Sequence, residues 1–97
     1  KAGVDPARVR QALMGGFAGS KILEVHGERM IKRTFDPGFR IELHQKDLSL
    51  ALSGARALGV SLPNTATAQE LFNACDGKLD HSALVKALEG LAGHTLA

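Results

Sequence analysis

The chain has 97 residues, of which 44% are hydrophobic and 23% charged, which supports one soluble domain that buries somewhat over about 60% of its unfolded surface. Its twelve basic and ten acidic residues give a formal charge of +2 and are scattered, with no basic run and no interleaved aromatics of the kind a nucleic-acid surface requires. A single cysteine rules out an internal disulfide and a Cys-rich zinc site, and the short apolar runs and the lack of a leader pattern predict a cytoplasmic protein that spans no membrane.

Ala and Leu supply 28 residues against 12 for Val, Ile and Thr, and Trp and Tyr are absent. Straight-chain residues lose little rotamer freedom in a helix, so this balance predicts an all-α fold, a single domain of about five helices. Asp5 before Pro6 marks the first helix start, with Val9, Ala12 and Leu13 inside, Arg8 and Arg10 outside, and Gly15-Gly16 as the stop near Met14. A second helix is expected from the cap Ser20 to near Arg33. Gly27 inside it costs roughly 1 kcal/mol relative to alanine, so close packing or a bend is expected there.

Pro37-Gly38 breaks the chain, and Ile41 to Leu58 reads as one long helix ended by Gly59. After the turn at Val60 to Pro63, Asn64 or Thr65 is the expected cap of a fourth helix carrying Ala68, Leu71, Phe72 and Cys75. Asp80 caps a fifth, with Leu84, Val85, Leu88 and Leu91 on its apolar side, and the tail from Gly93 to Ala97 frays.

The long third helix carries the most informative pattern. Leu43, Leu50, Ala51, Gly54 and Leu58 recur at three- and four-residue spacing as an apolar stripe, and Asp47 falls within it, so a buried partner for that carboxylate is expected. Lys46 lies beside the stripe. Either it forms a solvated pair with Glu42, four residues earlier, or it extends along the apolar surface to present its ammonium at a cleft. Arg40, His44 and Lys46 crowd the first half of the helix, where the macrodipole disfavours cations and a nearby anion would offset the penalty.

Other chemistry is thinly represented. Gly15, Gly16 and Gly19 follow a helix and have no preceding strand, unlike a dinucleotide-binding turn. His26, His44, His81 and His94 lack metal-ligand spacing, which predicts no metal site. Neighbouring helix positions point apart, so His81 and Ser82 do not read as a nucleophile pair, and Cys75 reads as a small buried apolar group.

The run Pro37-Gly38-Phe39-Arg40-Ile41, then His44, Lys46-Asp47-Leu48 and Ala51, resembles the C-terminal signature of the β-hydroxyacid dehydrogenases, the 3-hydroxyisobutyrate dehydrogenase-like proteins. The likeness extends upstream through Lys1 to Pro6 and Gly15 to Ser20, and downstream through Leu62-Pro63 and Asp80 to Leu84, so it covers essentially the whole chain. The resemblance implies the helical C-terminal domain of a 6-phosphogluconate dehydrogenase-like fold, spanning residues 1–97, that closes a cleft and dimerises. The N-terminal dinucleotide-binding domain and the catalytic lysine would lie outside this chain, and Lys1 is not that lysine. Lys46 would contact NAD or NADP near its nicotinamide and ribose end, Asp47 would hold the helix in place, and Phe39 would be a core anchor or a second cofactor contact, with Arg40 a weaker candidate. The intact reaction would be reversible hydride transfer between the cofactor and a small hydroxy acid, and the chain alone would be inactive.

Two positions depart from the pattern. The connection from Cys75 to Asp80 is several residues shorter than the resemblance implies, and Ser53 stands where an aspartate is expected. A rival reading from another class is a free-standing helical interaction module without catalysis. A second apolar row, Ile41, Leu48, Leu52 and Ala55, predicts a homodimer through the central helix, alongside the parent's N-terminal domain as partner and with neither nucleic acid nor membrane.

Overall fold

Proline, glycine and short polar caps divide the chain into five α-helices, seen in a computed structural model that describes residues 1–96. They are α1 (Pro6–Met14), α2 (Lys21–Lys32), α3 (Ile41–Leu58), α4 (Pro63–Asn73) and α5 (Val85–Ala92), with a 3-10 helix, His81–Leu84, leading into α5. Among the described residues there is no strand, only an isolated antiparallel bridge between Arg40 and Asp80, so the fold is all-α as expected.

The caps explain the boundaries. The Asp5 carboxylate accepts from the Ala7 amide at 3.0 Å and the Ser20 hydroxyl from the Leu23 amide at 3.0 Å, each satisfying a first-turn donor that has no helical partner. α3 ends on Gly59 at φ 67°, a left-handed conformation that glycine adopts without a Cβ clash. Arg33, which closes α2, takes φ 57° without being glycine. Its guanidinium holds the Glu89 carboxylate in a two-pronged contact at 2.8 and 3.0 Å, which ties the end of α2 to α5. The start of α4 differs from expectation: Leu62 occupies the cap position without a side-chain bond, and Pro63 opens the helix. Proline's fixed φ and missing N–H suit that first position, so neither Asn64 nor Thr65 is needed as a cap.

α1 lies on α2, and Gly27 marks the contact. A Cβ there would come within 3.3 Å of the Arg10 stem. Arg10 is therefore not an outward residue as the helix pattern implied. It crosses α2 and donates to the Leu23 and Glu24 carbonyls at 3.4 and 2.6 Å.

The core is small. Phe35, Ile41 and Ala83 are buried together, with Phe72, Cys75, Leu79 and Val85 packed around them. Burial raises the Cys75 thiol above its ordinary value, and its Sγ donates to the Leu71 carbonyl at 3.3 Å.

The two apolar rows of α3 exchange the roles expected of them. Ile41 and Ala55 are buried and Leu48 and Leu52 half-buried, so this row faces inward. The row of Leu43 turns outward beyond its first member: Leu43 is half-buried, but Leu50 is 65% and Leu58 80% exposed, and Ala51 and Gly54 are exposed as well. Both rows have helical spacing. What selects between them is the chain entering at Phe35 to Arg40, which places Ile41 directly against Ala83 and Leu79. The row beginning at Ile41 is therefore not spare surface for a subunit interface.

Candidate functional site

Asp80 organises the region around the Pro-Gly break. It has no exposed surface, yet one carboxylate oxygen accepts from the Gly38 amide (2.9 Å), the Phe39 amide (3.0 Å) and the Arg29 guanidinium (3.0 Å). The other accepts from the Ser82 amide at 3.0 Å and the Ser82 hydroxyl at 2.5 Å. Burial opposes ionisation, but these bonds from Ser82, Phe39 and Gly38 outweigh it and hold the Asp80 carboxyl far below the usual carboxylate range. Four backbone bonds sew the same strips together: Asp80 N–H to Phe35 O, His81 N–H to Phe39 O, Ile41 N–H to Leu79 O and Glu42 N–H to Gly77 O, all at 2.8–2.9 Å. The start of α3 is thus fixed by residues 77–82. Asp80 acts as the expected cap, but of the 3-10 helix, and as a clamp on Gly38 and Phe39 besides.

Beside the clamp, three histidines from α2, α3 and the 3-10 helix form a chain. His44 Nε2 meets His81 Nδ1 at 2.8 Å, and His81 Nε2 meets His26 Nε2 at 3.0 Å. The His44 ring stacks on His81 (centroids 5.0 Å apart) and on Phe72 (4.9 Å), with Phe39 tilted against it at 4.8 Å. Burial lowers the His81 pKa, and the neighbouring His26 adds to this, against a smaller opposing pull from Asp80. Sequence spacing held no hint of this cluster, because the residues are 37 and 55 positions apart and only tertiary packing joins them. Ser82, by contrast, is buried with its hydroxyl committed to Asp80, so His81 and Ser82 form no nucleophile pair.

Lys46 and Asp47 stand on the outer side of α3, 62% and 55% exposed and paired with each other at 3.2 Å. This corrects two expectations. Asp47 has no buried partner, because the stripe that contains it faces outward, and Glu42 pairs with Arg40 at 3.2 Å instead of with Lys46. Adjacent side chains that both point to solvent can bend toward one another although their Cα–Cβ directions diverge. Phe39 is 38% exposed and rests on His44 and His81, so it is not a core anchor. Lys46, Asp47 and Phe39 are not gathered into one pocket of the described residues. Phe39 packs on His44 and His81, while Lys46 and Asp47 lie on the outer face of α3.

Comparison with known proteins places the chain. The family model described as the NAD-binding domain of NADP-dependent 3-hydroxyisobutyrate dehydrogenase matches residues 1–88. The 2-hydroxy-3-oxopropionate reductase of Escherichia coli (strain K12) is 72% identical over the whole chain, which covers 35% of that protein. That alignment is 101 positions long against a chain of 97 residues, so at least four positions of the relative have no counterpart here. A probable 3-hydroxyisobutyrate dehydrogenase-like protein of Arabidopsis thaliana is 40% identical over 94% of the chain and 28% of its own length. The 2-(hydroxymethyl)glutarate dehydrogenase of Eubacterium barkeri is 32% identical over 96% of the chain and 33% of its own length. The chain spans about a third of the length of these curated relatives.

Proposed function

The chain belongs to the 3-hydroxyisobutyrate dehydrogenase family, and on that premise we propose that it is the helical domain closing the cleft of a nicotinamide-dependent hydroxyacid dehydrogenase. The substrate pair of the intact protein is tartronate semialdehyde and glycerate, or a related 3-hydroxy acid, and the reaction is reversible hydride transfer. The observation that carries this reading is the 72% identity over the whole chain to a 2-hydroxy-3-oxopropionate reductase.

The residues present fit one wall of a nicotinamide site. The cofactor, NAD or NADP, would supply the hydride in its reduced form and accept it in the reverse direction when bound. Lys46 has three N–H donors, and Asp47 at 3.2 Å engages one of them, which leaves donors for ribose hydroxyls, a carboxamide oxygen or a substrate carboxylate. Asp47 keeps the ammonium near the helix surface, a positioning role in place of the buried one expected. Phe39 offers an exposed ring edge on the neighbouring turn. The stiffness of this wall comes from the Asp80 clamp and from His44, on the inner side of the same helix turn as Lys46. A cation fixed in advance beside a developing alkoxide or a bound anion stabilises it without reorganising. The general acid and the phosphate-binding turn belong to the rest of the parent protein, so the chain alone is inactive.

The parent works in the cytoplasm as a homodimer, with the outward row of Leu50, Ala51, Gly54 and Leu58 covered by another part of the assembly. The exposure of that row supports its being covered. The deciding experiment measures nicotinamide oxidation with tartronate semialdehyde, using the chain alone and the complete protein that contains it. Activity confined to the complete protein is expected. Turnover by the chain alone, or, in the complete protein, neither cofactor oxidation with tartronate semialdehyde nor cofactor reduction with any 3-hydroxy acid, would overturn the reading.

A further inference from the structure

We propose that His26 and His81 together bind a divalent transition-metal ion of the copper or nickel kind through their two Nε2 atoms. The inference rests on the histidine geometry and stands apart from the reductase reading.

The two Nε2 atoms are 3.0 Å apart. With metal–nitrogen bonds of about 2.0–2.1 Å, two ligands at a right angle sit about 2.9 Å apart and two at the tetrahedral angle about 3.4 Å apart. The observed spacing matches the right angle, which copper(II) and nickel(II) favour and structural zinc does not. The rings are inclined at 77° with centroids 4.1 Å apart, so the hydrogen bond between them is bent and small rotations turn both ring nitrogens toward one ion.

The tautomers favour His81 as a ligand. His26 Nδ1 is buried with no hydrogen-bond partner, and a bare lone pair there is less costly than an orphaned N–H. The Nε2 proton therefore lies on His26 and is donated to His81, whose own proton sits on Nδ1 and is donated to His44 Nε2, an assignment made from the bonding network. A ligating histidine needs this arrangement: one nitrogen free for the metal, the other N–H held by an acceptor. The stacking of His44 on Phe72 and His81 fixes that acceptor. On binding, the His26 proton moves to Nδ1, which has no acceptor where the ring now lies, so the ring shifts as it binds; the adjoining cavity of about 270 Å³, lined by His26, His44 and His81 with Ile22, Met30 and Phe72, gives it room.

Asp80 lies within reach of the pair, but its oxygens are already taken by Ser82, Gly38, Phe39 and Arg29, so it acts from outside the coordination sphere. Because it neutralises Arg29, no net positive charge there repels an incoming cation.

The test is calorimetric titration of the tag-free chain with Ni2+. One ion per chain is expected, with His26→Ala and His81→Phe each weakening binding at least tenfold. His44→Phe removes only the outer acceptor and weakens it about 10–100-fold, while His94→Ala changes nothing. A second measurement needs no variant: substoichiometric Cu2+ should broaden the imidazole resonances of His26 and His81 before that of His94. No binding, binding indifferent to His26→Ala and His81→Phe, or broadening that begins at His94 would overturn the proposal.

Discussion

Replacing Asp80 by alanine should be among the most damaging single changes in the chain, and its size follows from what the carboxylate holds. Removing one member of a buried ion pair costs about 3–5 kcal/mol, because the other charge is left without its partner. Here Arg29 is 24% exposed and also donates to the Thr34 and Asp36 carbonyls, so its charge stays partly compensated and the lower half of that range applies, about 3–4 kcal/mol. The Ser82 amide, fully inside, loses its acceptor too, whereas water can reach Gly38 and Phe39. Against a total stability of roughly 5–15 kcal/mol, the chain would be close to unfolding. Urea unfolding followed by far-UV circular dichroism measures the loss directly. At about 4–8 °C per kcal/mol for a domain of this size, Tm should fall by more than about 12 °C. Asp80→Asn keeps the shape and one acceptor but loses the charge, and should cost about half as much. A fall in Tm of only a few degrees for Asp80→Ala would refute the claim that this carboxylate fixes the start of α3.

Stability should depend on pH in two windows. The folded pKa of Asp80 is depressed, so its contribution is complete above the unfolded carboxyl value, near about 3.9, and declines progressively as pH falls below it. His81, faced by His26, His44, Asp80 and Arg29, is also depressed, so in metal-free buffer a shallower loss should begin below about pH 6.5, and His81→Phe should remove that first phase alone. Gly59→Ala should cost about 1–2 kcal/mol in chemical denaturation, since the residue sits at φ 67° with open space around it and the penalty is purely conformational. The Cys75 thiol should react with an aromatic disulfide far more slowly in the native chain at pH 8 than in urea, because burial raises its pKa.

Much of the fold was legible because its punctuation is local. Asp5-Pro6, Ser20, Pro37-Gly38 and Gly59 each impose a backbone conformation through their own chemistry, and the starts of α1, α2 and α3 and the end of α3 fall where these residues direct. Helical spacing, however, shows that a row is apolar without showing which way it faces. Both rows of α3 satisfied the pattern, and only the docking of Phe35 and Ala83 on Ile41 selects between them. Asp47 was misread for the same reason: a carboxylate in an outward stripe needs no buried partner.

The candidate site was legible only in part. Lys46 emerged through the resemblance of its segment and stands exposed, as a cofactor contact requires, but spacing alone could not distinguish it from a solvated lysine. The cluster of His26, His44 and His81 was invisible, since metal-ligand spacing rules capture ligands on one helix or loop and these come from three elements. The one available signal was Asp80-His81-Ser82, where a cap residue is followed by a histidine whose neighbour turns inward.

The most direct test of the account is the kinetics of Lys46→Met in the complete protein, a change that keeps the length and apolar stem of the side chain and removes its charge. With tartronate semialdehyde as substrate, KM for the nicotinamide cofactor should rise, or kcat should fall, by about tenfold, the equivalent of roughly 1.4 kcal/mol for one charged hydrogen bond. The unfolding midpoint should stay where it was, because Lys46 is 62% exposed and its pairing with Asp47 contributes little to stability. Unchanged kcat and KM in a folded Lys46→Met enzyme would contradict the assignment of this helix face to the cofactor cleft.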